Sequence, residues 1–238
     1  MKTIGLIGGM SWESSILYYE MINKEVRKRR GGLHSAPCLM YSFDFEPVKQ
    51  LQHEGKWDEA ASLLIEAAQQ LETAGADFIV LCTNTMHKAA EKIESSIHIP
   101  FLHIADATAE AITHERIKKV GLLATQFTME ESFYKGRLQD KYNLEVVVPD
   151  EEERKLVHSI IYDELCRGEI KDSSKKQYTK VIENLIENGA EAIILGCTEI
   201  TLLIKEEDCR VPVFDTTFLH AVTAVEYALE DCDIVSKK

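Results

Sequence analysis

Gly75-Ala76-Asp77-Phe78-Ile79-Val80-Leu81-Cys82-Thr83-Asn84-Thr85 runs without a gap against Gly189-Ala190-Glu191-Ala192-Ile193-Ile194-Leu195-Gly196-Cys197-Thr198-Glu199, 114 residues further along the chain. Two flanking matches keep nearly the same separation. Ile4-Gly5-Leu6-Ile7-Gly8-Gly9 parallels Val120-Gly121-Leu122-Leu123-Ala124-Thr125 at 116 residues, and Ile99-Pro100-Phe101-Leu102-His103 parallels Val211-Pro212-Val213-Phe214-Asp215 at 112. Offsets that drift so little mark a duplicated unit.

Within each unit, short runs of Val, Ile and Leu alternate with longer segments of helical period, the pattern of βαβ units around a parallel sheet. Strands are predicted near 3–8, 38–43, 77–82, 99–103, 118–124, 144–148, 191–196 and 211–215. Helices are predicted over 14–29, 57–74, 86–95, 105–114, 129–141, 151–167, 174–188 and 217–229. The 57–74 segment places Ala60, Leu63, Leu64, Ala67, Ala68 and Leu71 on one face, as a helix covering a sheet requires. The expected fold is α/β, with two pseudo-symmetric four-stranded parallel half-domains and the active site in the cleft between them. Residues 1–115 form the first half, 116–216 the second, and 217–238 a final helix that packs back on the first.

A chain of 238 residues can bury a proper core, and 45% apolar with 28% charged residues is the balance of a globular protein. The net charge of −13 excludes a nucleic-acid partner, because phosphate binding needs a basic surface. An acidic ligand would be repelled by the chain as a whole, so its binding must rest on local Lys, Arg or backbone amides. The opening MKTIGLIGGMSWE reads as a first strand rather than a signal peptide, and no apolar run approaches a membrane span. Six cysteines without regular spacing (Cys38, Cys82, Cys166, Cys197, Cys209 and Cys232) fit a reducing compartment, and the cytoplasm is the expected location.

In open α/β sheets, ligands sit beyond the carboxyl ends of the strands. The informative residues are therefore Gly8 to Ser11, Cys82 to His87, Thr125 to Thr128 and Gly196 to Glu199. Cys197 ends a buried strand just before a predicted helix, where amides and the helix dipole would lower a thiol's pKa. It is the candidate reactive residue. The repeat pairs Cys197 with Thr83, and Cys82 with Gly196, so Cys82 falls on the opposite side of the strand and reads as packing.

The stretches LCTNTMH and LGCTE, with the opening IGLIGGMSWESS, resemble the signatures of the aspartate/glutamate racemase family over essentially the whole chain. The resemblance implies a racemase without pyridoxal phosphate or metal, acting on a small acidic amino acid with one cysteine on each side of its Cα. Here the residue before Asn84 is Thr83 where the family usually has cysteine. A thiol with a pKa near about 8.5 can be tuned into a base, whereas a threonine hydroxyl can only donate well. The pair is then lopsided, with Cys197 as base toward the L-enantiomer and Thr83 as donor. The resemblance also gives Asn84, Thr85 and Thr198 to the α-carboxylate, and Lys49, Gln52 and Arg167 to the distal carboxylate; Glu199, being acidic, reads either as orienting the ammonium group or as an exposed first-turn residue. Met10, Ser11, Thr125 and Thr128 would line the same cleft. Lys49 and Gln52 fall on a mobile loop after the second strand, and Arg167 on a helix.

Gly5, Gly8 and Gly9 do not make a dinucleotide fingerprint, and His87, His98 and His103 lack metal-site spacing and read as helix-face or surface residues. Glu151-Glu152-Glu153 is a solvated first turn favoured by the helix dipole. A homodimer is compatible with the sequence, which does not decide it. Competing functions are a maleate isomerase or hydantoin racemase-like enzyme, and a dicarboxylate-binding protein without catalysis.

Overall fold

The duplication is visible in the first bonds of each sheet. In the computed structural model, which describes residues 1–230, strands β1 (Ile4–Gly8), β2 (Cys38–Ser42), β3 (Phe78–Leu81) and β4 (Phe101–Leu102) form a sheet in the order β2-β1-β3-β4. Strands β5 (Lys119–Ala124), β6 (Glu145–Val147), β7 (Ala192–Gly196) and β8 (Val213–Asp215) form another in the order β6-β5-β7-β8. All pairings are parallel, so each connection must cross back over a face of its sheet. Cys232 and the end of the 217–238 segment lie outside the described residues.

Gly75 (φ +97°) and Gly189 (φ +90°) turn the chain into β3 and β7 through a left-handed backbone that favours glycine. Two residues later, a carboxylate ties down the neighbouring strand. Asp77 accepts from the Thr3 amide at 2.6 Å, and Glu191 from the Lys118 and Lys119 amides at 2.8 and 3.3 Å. Gly5 pairs with Ile79 and Gly121 with Ile193. At either glycine a Cβ would stand 2.8 Å from the isoleucine Cδ1, too close to fit without movement. Gly121→Ala is therefore expected to destabilise the protein by about 1–3 kcal/mol, the usual cost of overpacking. Combined with Ile193→Val, the loss should be smaller than the two single losses added, as urea denaturation would measure.

The helices are α1 (Trp12–Arg30), α2 (Phe45–His53), α3 (Trp57–Thr73), α4 (Ala90–Glu94), α5 (Ile104–His114), α6 (Gln126–Glu130), α7 (Ser132–Tyr142), α8 (Glu151–Asp163), α9 (Asp172–Glu187), α10 (Ile200–Leu203) and α11 (Thr216–Leu229). Four departures from the sequence expectation matter for the site. Residues 45–53 form a helix rather than a loop, started by the Asp44 carboxylate, which accepts from the Glu46 amide at 3.3 Å. The 129–141 helix is two, broken where Glu131 adopts an extended backbone. The 151–167 helix stops at Asp163, and Leu165–Arg167 form a separate 3-10 turn closed by Gly168 at φ +73°. The 86–95 helix opens as a 3-10 turn, Thr85–Ala89, before α4.

The chain divides into two units at 103/104 and 219/220, not at 115/116 and 216/217. The first unit is residues 1–103 together with the chain from His220; the second is 104–219. The reason lies in two apolar helix faces. Ile104, Ala105, Ala109 and Ile112 of α5 are buried in the cluster that holds Val120, Leu122, Ile193 and Leu195 of the second sheet. Ala221, Ala224, Val225 and Ala228 of α11 are buried with Ile4, Leu6, Phe78 and Val80 of the first. Within the second unit, Arg137 grips Asp106 with two bonds of 2.7 and 2.8 Å, fastening α5 to α7. Among the described residues, no helix is long and apolar enough to cross a membrane.

Candidate active site

In each unit the strand order reverses next to the first strand, between β1 and β3 and between β5 and β7. Such a switch point leaves an opening beyond the carboxyl ends of those strands. In the first unit it is bordered by Gly8–Ser11 and by Cys82–Thr85. In the second it is bordered by Thr125–Thr128 and by Cys197–Glu199.

Cys82 is wholly buried among Leu6, Tyr18, Phe78 and Val80, and burial holds its thiol well above the usual range. Thr83, the next residue, is half-buried. Its backbone is held at both polar groups: the amide donates to the Leu81 carbonyl at 2.9 Å, and the carbonyl lies 2.7 Å from His87 Nδ1. Asn84 and Thr85 are buried on the turn that follows. Ser11 is buried and caps α1, accepting from the Ser14 amide at 3.3 Å, while Met10 packs into the apolar cluster with Ile7, Val48 and Met86. Gln52 is buried and its amide donates to Met86 Sδ at 3.0 Å, so α2 delivers it to the same strand ends. Lys49, one helical turn back, is partly exposed and paired with Glu46 at 3.4 Å.

In the second unit, Cys197 is 9% exposed and its thiol donates to Glu199 Oε2 at 3.0 Å. Burial first, then the negative Glu199 carboxylate, hold this thiol well above the usual range. This is the opposite of the lowering expected at a helix N-terminus: α10 has only four residues, and burial and the Glu199 carboxylate hold the thiol up. Glu199 itself is buried and turned onto the thiol. Thr198 is buried, with its carbonyl accepting from the Thr201 hydroxyl at 2.7 Å. Thr125 and Thr128 are buried and their hydroxyls lie 3.2 Å apart. Arg167 is exposed on its 3-10 turn.

The structure thus gathers Met10, Ser11, Gln52, Thr83, Asn84 and Thr85 at one sheet's end, and Thr125, Thr128, Cys197, Thr198 and Glu199 at the other's. Lys49 and Arg167 remain at the surface. Sequence reasoning missed His158 and Tyr162 on α8. His158 Nδ1 accepts from the Gln126 amide at 3.1 Å, and its ring lies 4.8 Å from that of Tyr162. The Tyr162 hydroxyl is pushed up, first by burial and then by the neighbouring acidic groups of the second unit, Glu199 among them. Only the one-turn spacing of His158 and Tyr162 could have signalled this. His87 and His103 are also buried rather than on the surface, whereas His98 is exposed. Among the described residues, no group of three or more His, Cys, Asp or Glu is placed to hold a metal ion.

Known proteins share this arrangement over nearly the full chain. A Yersinia pestis protein whose solved structure is classed with the Asp/Glu racemases is 55% identical, with a TM-score of 0.90 over 96% of this chain and 100% of that one. An aspartate racemase homologue from Pyrococcus horikoshii is 36% identical, with a TM-score of 0.81 over 96% of this chain and 99% of its own. A broad-specificity amino-acid racemase of Bacillus subtilis is 26% identical, covering 93% of this chain and 96% of its own length. The family model for Asp/Glu/Hydantoin racemases matches residues 7–224, and the chain belongs to that family.

Proposed function

We propose that this chain racemises an acidic amino acid, aspartate or glutamate, using protein side chains alone, without pyridoxal phosphate or a metal. The observation that carries the reading is the 3.0 Å bond from the buried Cys197 thiol to Glu199. A thiol must lose its proton to act as a base, and here a carboxylate stands ready to take it. Glu199 accepts the thiol proton; the thiolate then removes the α-proton of the L-enantiomer and becomes a thiol again. The opposite face of the carbanion receives a proton from the Thr83 hydroxyl, which draws one from water in the same step, so that no free alkoxide forms. The proton that Glu199 then releases to solvent neutralises the hydroxide left behind, and the carboxylate is ready to accept again. Asn84, Thr85, Thr198 and the buried hydroxyls of Thr125 and Thr128 supply donors for the carboxylate, whose negative charge grows as the carbanion forms. Met10, Ser11 and Gln52 border the same strand ends, and the distal carboxylate is taken by the Gln52 amide, with Lys49 and Arg167 swinging in from the surface when the substrate binds.

The test is incubation with L-Asp and with L-Glu in heavy water, followed by chiral separation and deuterium counting at Cα. Protein dialysed against chelator should remain active and colourless. Turnover that depends on an added cofactor would overturn the reading. A second reading, a neutral amino-acid derivative such as a hydantoin, is favoured by the surface positions of Lys49 and Arg167. The same assay on a 5-substituted hydantoin decides between them.

Glu199→Gln separates the two effects of that carboxylate. Removing its charge should let the Cys197 thiol titrate at lower pH, because the carboxylate contributes to holding it up. Alkylation by iodoacetamide should therefore begin at lower pH than in the wild type. Turnover should nevertheless fall by about 10²-fold or more, the typical worth of a proton acceptor. An unchanged alkylation profile together with unchanged turnover would rule out this role.

A further inference from the structure

Three histidines far apart in the sequence meet inside the first unit. His87, His103 and His220 are all buried, with ring centroids 4.6 Å apart for His87 and His103 and 5.9 Å for His87 and His220. His103 is the last residue before the chain leaves this unit, and His220 the first after it returns. Tyr18 of α1 completes the group, its hydroxyl 2.9 Å from His220 Nδ1.

The partners fix which nitrogens carry protons. A carbonyl oxygen can only accept, so His220 Nε2, 2.8 Å from the Leu102 carbonyl, bears a hydrogen. In the neutral ring, Nδ1 then accepts from the Tyr18 hydroxyl. By the same rule His87 Nδ1, 2.7 Å from the Thr83 carbonyl, is the nitrogen that bears the hydrogen in that ring. The two imidazoles are thus opposite tautomers, set by two carbonyls.

The local backbone explains why an imidazole is needed at Thr83. In an α-helix the amide of residue 87 would donate to the carbonyl of residue 83. Here the turn is 3-10, and the His87 amide donates to Asn84 at 3.0 Å instead. The side chain of the same residue then reaches back to the carbonyl the amide has left. At the repeat mate the backbone does this work, since the Ile200 amide donates to the Cys197 carbonyl at 3.2 Å. We propose that His87 is a positioning residue for Thr83: its Nδ1–H holds the Thr83 carbonyl, and inclined ring contacts with His103 and His220 hold His87. Resting on the reading of Thr83 as the proton donor, this makes inversion, but not exchange at Cys197, depend on the His87 tautomer.

The experiment compares His87→Asn with His87→Gln in heavy water. The asparagine amide overlies Nδ1 and keeps a donor for the Thr83 carbonyl; the glutamine amide overlies Nε2 and does not. In His87→Asn the ratio of α-hydrogen exchange to inversion should stay within about twofold of wild type. In His87→Gln it should rise about tenfold or more at unchanged exchange. A purely structural role would move both variants alike, and equal ratios in the two would overturn the proposal. Nitrogen-15 NMR of ring-labelled wild-type protein reads the tautomer directly and does not depend on either variant folding. His87 should carry its proton on Nδ1 and His220 on Nε2, and a His87 protonated on Nε2 overturns the proposal. If Thr83→Ala itself left the exchange-to-inversion ratio unchanged, the reading of Thr83 as donor would fail, while the tautomer measurement would still judge the His87 bond.

Discussion

Cys197→Ala should abolish racemisation and α-hydrogen exchange together while leaving the fold intact. General base catalysis is worth about 10²–10⁴-fold, and loss of the only base that forms the carbanion falls at or beyond the upper end. The side chain is small and sits at the end of β7, so its removal leaves a cavity of one sulfur atom rather than a collapsed core. Circular dichroism and melting should therefore change little while turnover disappears. A Cys197→Ala protein keeping more than a tenth of wild-type turnover would remove the thiol from the mechanism. Cys82 would not be its substitute on geometric grounds, since that thiol is wholly buried in the apolar cluster behind the strand.

Thr83→Ala is expected to give the second large effect, of a different kind. The two enantiomers have equal free energy in water, so kcat/KM must be equal in both directions however lopsided the site is. The asymmetry can show only in the separate kcat and KM values and in the face from which the carbanion is reprotonated. With a sluggish donor opposite Cys197, L-substrate in heavy water should gain deuterium with retention faster than it inverts, provided that the thiol exchanges its proton within the carbanion's lifetime. Removing the Thr83 hydroxyl should suppress inversion by about 10²-fold or more with little loss of exchange. Thr83→Cys should raise turnover of the D-enantiomer by restoring a thiol there. Equal losses of exchange and inversion in Thr83→Ala, with no gain in Thr83→Cys, would mean that Thr83 is not the opposing donor.

The strands were legible because the duplication reports each of them twice. A weak apolar run such as Phe101–Leu102 becomes readable when Val213–Asp215 repeats it. The strand-end residues were legible for the same reason, since the repeat pairs Thr83 with Cys197 and leaves Cys82 in the packing. Helix α2 was missed because its start, Asp44 with Pro47 in the first turn, uses the same residues as a loop. The boundaries were misplaced because an apolar helix face such as that of α5 shows that a sheet must cover it, not which sheet. The direction of the Cys197 pKa was missed because it depends on Glu199 folding back onto its own neighbour, a side-chain conformation with no periodic signature. The histidine cluster was out of reach altogether, as His87, His103 and His220 are brought together only by the topology.

The placement of α5 and α11 has a consequence for how the protein is made. The second unit is one continuous stretch, whereas the first needs its last helix from the far end of the chain. A ribosome adding about 5–20 residues per second leaves the first sheet waiting of the order of 6–25 s for α11 to be completed. During that interval the faces of Ile4, Leu6, Phe78 and Val80 that α11 will cover stand open to chaperones and to other nascent chains. The unit translated first is thus the one completed last, and a stop codon or proteolytic nick ahead of His220 would leave the unit that carries Cys197 whole while its older companion lacked part of its core.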